Sequence, residues 1–116
     1  MADGKQLDQL SSADLYALFG NLLDNAIEAV AKEPPEKRTI SMQVFKKRGY
    51  LCIHIENFCT DPPELVNGLP KTRKQDDRYH GFGIKSIRYI VEKYHGNLAI
   101  STDHQQFCVD ILIPNQ

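Results

Sequence analysis

The sequence predicts an α+β fold, a two-layer α/β sandwich in which helices cover one face of a mixed sheet. Three observations carry that expectation. A long apolar run near the N-terminus has helical spacing, two pairs of apolar segments alternate with period two, and a shorter helical run lies between those pairs. In the first run Leu15, Leu18, Phe19, Leu22, Leu23, Ala26, Ile27 and Val30 recur at steps of three and four, the pattern of one buried helix face. Ser11 or Ser12 offers an N-cap oxygen, and Pro34-Pro35 ends the run, because proline lacks the N–H that a helix needs. The helix is expected over residues 12 to 32.

Period two takes over between Thr39 and Asn57, where Ile40, Met42 and Val44 precede a Lys47-Arg48-Gly49 turn and Leu51, Ile53 and Ile55 follow it. This reads as a β-hairpin. A second hairpin is expected where Leu98 and Ile100, then Phe107, Val109, Ile111 and Ile113, flank Asp103-His104-Gln105. Lys5 to Leu10 adds a candidate short edge strand. The second helix carries Ile84, Ile87, Ile90, Val91 and Tyr94 on one face, opens after Gly81-Phe82-Gly83 and closes at His95-Gly96, with Gly96 as the expected C-cap.

With 116 residues, 41% hydrophobic and 25% charged, the chain suits a single domain spanning 1–116. Its formal net charge of −1 gives no bulk attraction to nucleic acid or to anionic lipid. No apolar run reaches the roughly 18 residues of a membrane span, and the start lacks the apolar stretch of a signal peptide, so the sequence reads as cytosolic. Cys52, Cys59 and Cys108 form neither a C-x-x-C pair nor a zinc pattern and are expected as free, mostly buried thiols. Residues 58 to 80 hold three prolines, Gly68 and the basic group Lys71, Arg73, Lys74 and Arg78 without usable periodicity. So long a connection in a compact domain is expected to be a lid or binding loop.

Three places could carry chemistry. Asn21 and Asn25 lie four apart on the first helix and share a face, although asparagine is a mediocre helix former. Their carboxamide oxygens are either hard ligands suited to Mg²⁺ or a solvated pair on the outer face. His80-Gly81-Phe82-Gly83-Ile84 runs directly into a helix, so it is either a flexible lead-in or a place where free N–H groups and a helix dipole meet a polyphosphate. Asn57 ends a buried strand, as a turn residue or as a reader of a base edge.

The order of these elements, with Asn21-Leu22-Leu23-Asp24-Asn25-Ala26 and Gly81-Phe82-Gly83-Ile84-Lys85-Ser86-Ile87, resembles the ATP-binding catalytic domain of sensor histidine kinases. The wider group is the Bergerat-fold (GHKL) ATPases. Asn67-Gly68-Leu69-Pro70-Lys71-Thr72 followed by His80-Gly81-Phe82-Gly83 looks most like the peptide-pheromone, quorum-sensing type. The resemblance implies ATP and Mg²⁺ as cofactors, with Asn25 as the metal ligand and Asn21 as a polar contact on the phosphate side. It implies that Gly81, Gly83 and the flanking His80 and Phe82 face the phosphates, with Lys71, Lys74 and Lys85 as candidate phosphate cations. It further implies signal transduction in a two-component system. The γ-phosphoryl passes to a histidine on a separate dimerisation segment of the full-length protein, and from there to a response regulator. No helix pair for that acceptor precedes residue 12, and His54, His80, His95 and His104 lack an acceptor's setting. The chain is therefore expected to be the cytoplasmic catalytic part of a membrane-anchored bacterial sensor, itself not touching the membrane.

Two departures from the family pattern matter. The adenine-reading Asp-x-Gly-x-Gly box is missing, and Asn57-Phe58-Cys59 stands at its strand end. A neutral carboxamide should hold the adenine amine less tightly than a carboxylate, by on the order of 1 kcal/mol. Where gyrase-like relatives carry a glutamate base, this chain has Asn21, so ATP hydrolysis by the isolated domain is expected to be absent or very slow. Glu28, one turn beyond Asn25, is expected at the surface. Two alternatives stand beside the kinase reading. One is a non-catalytic interaction domain on the same fold, and the other is an anti-sigma-factor serine kinase, disfavoured by the missing acidic base and aspartate-glycine box.

Overall fold

A computed structural model describes residues 10–70 and 82–115. The elements in chain order are α1 (Ser12–Ala31), β1 (Ile40–Lys47), β2 (Tyr50–Phe58), β3 (Leu65–Val66), β4 (Leu69–Pro70), α2 (Phe82–Lys93), β5 (Asn97–Asp103) and β6 (Gln106–Pro114), with a 3-10 turn at Pro35–Lys37. The main sheet has the order β1-β2-β6-β5, and all its ladders among the described residues are antiparallel. The α+β two-layer sandwich forms as expected. Of the proposed edge strand, residues 5–9 lie outside the described residues, and Leu10 sits in a bend with its side chain buried in the core.

The sheet's alternation decides which side the helices cover. Leu51, Ile53, Ile55 and Asn57 of β2 and Phe107, Val109, Ile111 and Ile113 of β6 are all buried on one face. Leu18, Leu22 and Ala26 of α1 and Ile84, Ile87 and Val91 of α2 complete the same core. Each Leu, Ile, Val or Phe among them contributes about 1.5–3 kcal/mol by leaving water. The apolar stripe of α1 is narrower than its sequence suggests. Leu23 and Ile27 are 36% and 53% exposed, because the helix turns them away from the sheet while Leu18, Leu22, Ala26 and Val30 face it. The helix layer also stops short of β1, leaving Ile40 and Met42 partly open.

Caps fix both helices. The Ser11 side chain accepts from the Asp14 N–H at 3.1 Å, the cap anticipated for α1. At the other end Arg38 donates from Nε to Glu33 O at 2.9 Å and from Nη2 to Ala31 O at 3.4 Å, covering carbonyls that the helix leaves unpaired. The end of α2 departs from expectation. The left-handed residue is His95, with φ 61°, and the bonds His95 N–H to Glu92 O and Gly96 N–H to Val91 O form a Schellman closure. Gly96 is needed for a different reason: a Cβ there would stand 2.5 Å from Leu112 O of the neighbouring strand.

Two-residue turns with positive φ at both positions close the hairpins at Arg48-Gly49 and at His104-Gln105. The long connection is not structureless throughout. Asn67 (φ 55°) and Gly68 (φ 78°) turn β3 onto β4 as a small separate hairpin. The remainder of the expected lid, residues 71–80, lies outside the described residues. All three cysteines are free, but Cys52 alone is buried, and Cys59 and Cys108 are half-buried. No described helix is long and apolar enough to cross a membrane.

A polar latch ties the start of α1 to the end of α2. The Ser11 N–H donates to Tyr94 Oη at 3.0 Å, Tyr94 donates in turn to Asp14 Oδ2 at 2.6 Å, and Lys93 Nζ lies 2.9 Å from that same oxygen. The Tyr94 hydroxyl, then Lys93, hold the Asp14 carboxyl below its ordinary range. Glu33 is likewise lowered, by hydrogen bonds from the Thr60 hydroxyl and backbone.

Two predictions follow from these contacts. Gly96→Ala should lower stability by about 1–3 kcal/mol through the clash with Leu112 O, read as a lower urea midpoint at unchanged slope. Because the folded pKa of Asp14 is depressed, its contribution is complete above the unfolded carboxylate value of about 4 and is lost as pH falls through the folded value. Tyr94→Phe should therefore move acid unfolding to higher pH and raise the Asp14 pKa measured by NMR. An unchanged acid limb would remove the latch from the account.

Candidate functional site

The latch makes α1 and α2 antiparallel neighbours, with residues 11–14 beside residues 93–94. Further along α1, the start of α2 is reached at Asn21. A Cβ built on Gly83 would lie 4.0 Å from Asn21 Oδ1, so the first turn of α2 faces that carboxamide. The orientation of Asn21 is set by its own helix, since Nδ2 donates to Ala17 O at 2.8 Å and leaves Oδ1 toward Gly83. Asn21 and Gly83 are both half-buried. They are two of the residues expected at the phosphate side, and the fold brings them together.

Asn25 follows Asn21 by one turn, about 6 Å along the axis, and is half-buried. Among the described residues its carboxamide makes no hydrogen bond. Lys85 is exposed in the first turn of α2, where a cation is disfavoured by the dipole unless an anion is near. The backbone of Phe82 opens α2, and its side chain lies outside the description. Lys71, Lys74, His80 and Gly81 also lie outside the described residues.

Asn57 closes the inner face of β2. It pairs across the sheet with Ile40 and Phe107 and is 2% exposed. Its Nδ2 donates to Phe58 O at 3.0 Å, and among the described residues Oδ1 accepts nothing. A buried carboxamide oxygen without a donor costs about 1–3 kcal/mol, which a ligand N–H would relieve. The donor set therefore fits an adenine nucleotide with Mg²⁺: neutral oxygens at Asn21 and Asn25, a helix N-terminus at Gly83, and a buried acceptor at Asn57.

Sequence reasoning missed the support behind this set. Glu33 is 9% exposed, and its carboxylate accepts from both the N–H and the hydroxyl of Thr60, joining the end of α1 to the segment after β2. A glutamate just past a helix end, beside Pro34, gave no motif to find. Glu28 is half-buried where a surface position was expected. A cleft of about 440 Å³ lies elsewhere, between the β3–β4 turn at Asn67-Gly68, the side of α2 bearing Arg88 and Glu92, and β5. Arg88 and Glu92 pair with each other at 3.5 Å on its rim, and it contains none of the three asparagines. Concavity and convergent chemistry disagree here. The chemistry carries more weight, because Asn21 Oδ1 and the first turn of α2 at Gly83 already face each other.

Comparison with known proteins agrees with this fold. A family model described as a GHKL domain matches residues 10–114. The structure is similar to the Acinetobacter baumannii histidine kinase AdeS, with a TM-score of 0.58 at 16% identity, over 88% of this chain and 46% of that one. The chain thus spans about half the length of that kinase, and at this identity the likeness is one of fold. No curated protein matches the sequence significantly. Since the family model takes in nearly all of the sequence, the chain belongs to the GHKL domain family.

Proposed function

We propose that residues 1–116 are one catalytic domain that binds Mg²⁺ and ATP and delivers the γ-phosphoryl group to a histidine on a separate dimerisation segment of a two-component sensor kinase. The approach of Asn21 Oδ1 to the Gly83 turn supports this reading above all, since a nucleotide's phosphates need both at one place. Asn25 would hold Mg²⁺, whose chemistry when bound is to neutralise charge on the phosphate oxygens. Asn21, Gly81 and the α2 N-terminus at Gly83 would orient the phosphates, and Lys85, with Lys71, Lys74 and His80, would add positive charge and donors. Asn57 Oδ1 would accept from the adenine amine.

Asn21 also sets what the domain does not do. A carboxamide takes no proton from water, so bound ATP is spared hydrolysis until an acceptor arrives. The Asn67–Thr72 string supports the peptide-pheromone, quorum-sensing subtype. The rest of the proposed system is a membrane-anchored sensor, its dimerisation helices in the same full-length protein, and a response regulator that takes the phosphoryl group.

Titration calorimetry with a non-hydrolysable ATP analogue tests the proposal. One-to-one binding that strengthens with Mg²⁺ is expected, and Asn25→Ala should weaken the Mg²⁺-dependent binding roughly tenfold. No binding at millimolar analogue would overturn it in favour of an interaction domain. A separate comparison isolates the base site. Asn57→Ala should cost about fivefold in affinity for the adenine analogue, leave the guanine analogue unaffected and preserve the response to Mg²⁺. An equal loss for both bases would remove Asn57 from base recognition.

A further inference from the structure

The outer face of the sheet carries a second cluster of donors, pointing away from the helices and from Asn57. His54 and Glu56 of β2 are successive residues on that face, and directly opposite them on β6 stand Asp110 and Cys108 respectively. His54 Nδ1 meets Asp110 Oδ1 at 2.6 Å, and Nε2 meets Glu56 Oε1 at 2.9 Å. One ligand atom each from His54, Glu56 and Cys108 lie within 4.8 Å of one another. These side chains are only part-exposed, 27% for His54 and 36% for Glu56, and they stand on the two central strands, which hold their spacing firmly.

We propose that His54 Nε2, a Glu56 carboxylate oxygen and the Cys108 thiolate form a binding site for a divalent d-block cation of the zinc type, with Asp110 as the residue that positions the imidazole. The donor set is the first reason. Nitrogen, thiolate and carboxylate together suit zinc, whereas Mg²⁺ and Ca²⁺ take oxygen. The second reason is the carboxylate on the far ring nitrogen. Metal-binding histidines ordinarily donate that N–H to a carboxylate or carbonyl, which fixes the tautomer and leaves the other nitrogen's lone pair for the ion. Asp110 at Nδ1 supplies this arrangement before any ion arrives.

Geometry permits the closure. Tetrahedral zinc with bonds of about 2.0–2.3 Å keeps its ligand atoms about 3.3–3.8 Å apart. His54 and Glu56 must therefore separate by about half an ångström, and Cys108 must approach by up to about 1 Å, both within rotamer adjustments on an open face. A fourth position remains toward solvent, because no described element packs over this face. The site is separated from Asn57 by the thickness of the sheet, so its occupancy is independent of nucleotide.

The test uses the reduced, metal-stripped 116-residue chain titrated with CoCl₂ and then ZnCl₂. One equivalent of Co²⁺ should give a thiolate-to-cobalt charge-transfer absorption that Zn²⁺ abolishes, and Zn²⁺ should raise the thermal midpoint. Cys108→Ser, nearly isosteric on a half-exposed surface, should lose the charge-transfer band and keep its circular dichroism. Asp110→Asn should keep the band but weaken Co²⁺ binding by about 10–100-fold, as loss of an orienting partner does. Cys59→Ser should change neither. Absence of the band in the parent chain, or its persistence in Cys108→Ser, would overturn the site. Equal affinity in Asp110→Asn would overturn the positioning role.

Discussion

The antiparallel contact between α1 and α2 governs how Asn21 of the first helix meets the first turn of the second. Leu18, Leu22, Ile87 and Val91 of the two helices are buried in one apolar core, and one end of the pair is capped by a network in which Tyr94 stands between Ser11 and Asp14. Packing alone tolerates sliding, since ridges of aliphatic side chains repeat along a helix. The hydrogen bonds do not, because a buried or half-buried donor displaced by one turn loses its acceptor. The latch therefore specifies helix register, and helix register is what sets Asn21 beside Gly83 about one turn short of Asn25. The candidate site is a consequence of a contact two turns away from it.

The sheet divides the molecule's chemistry by side. On the covered face of the two central strands the polar residue is Asn57, 2% exposed at the end of a strand whose other inward residues are aliphatic. On the open face the same two central strands present His54, Glu56, Cys108 and Asp110. Period-two alternation makes this separation unavoidable: a one-residue slip in the β2–β6 register would exchange the two sets completely. The burial of Leu51, Ile53, Val109 and Ile111 holds the register, so hydrophobic packing on one face maintains the polar geometry of the other.

Much of this was legible in the sequence, and the failures have physical causes. Helical periodicity located α1 to within a residue at each end, because Ser11 and the paired prolines are strong local signals. It overstated the buried stripe, since periodicity cannot say how wide a face the rest of the fold covers, and Leu23 and Ile27 emerge in solvent. The Asn67-Gly68 pair is a strong hairpin signal, passed over because the strands it joins are two residues each, too short to alternate. His95 takes the left-handed cap position expected of Gly96, because the helix closes one residue earlier through Gly96 N–H to Val91 O, and Gly96 is reserved for the close approach of Leu112 O. The asparagines of the site were found as residue types in a pattern, whereas their supports, Glu33 with Thr60 and Arg38 on the α1 terminus, were not. Those are contacts between segments distant in sequence, and no local rule reports them.

The absence of acidic residues at positions 21, 25 and 57 has an electrostatic logic of its own. A carboxylate near a triphosphate repels it unless a cation lies between, and a buried one must also bear its desolvation. Carboxamides at the same places offer oxygen acceptors with no net charge, so these three positions would set no carboxylate against phosphates held at the N-terminus of α2. They give up proton abstraction and some strength in the bond to the base. In the proposed kinase, which would hold ATP for a partner histidine, the lack of a base at position 21 would suppress the competing reaction with water.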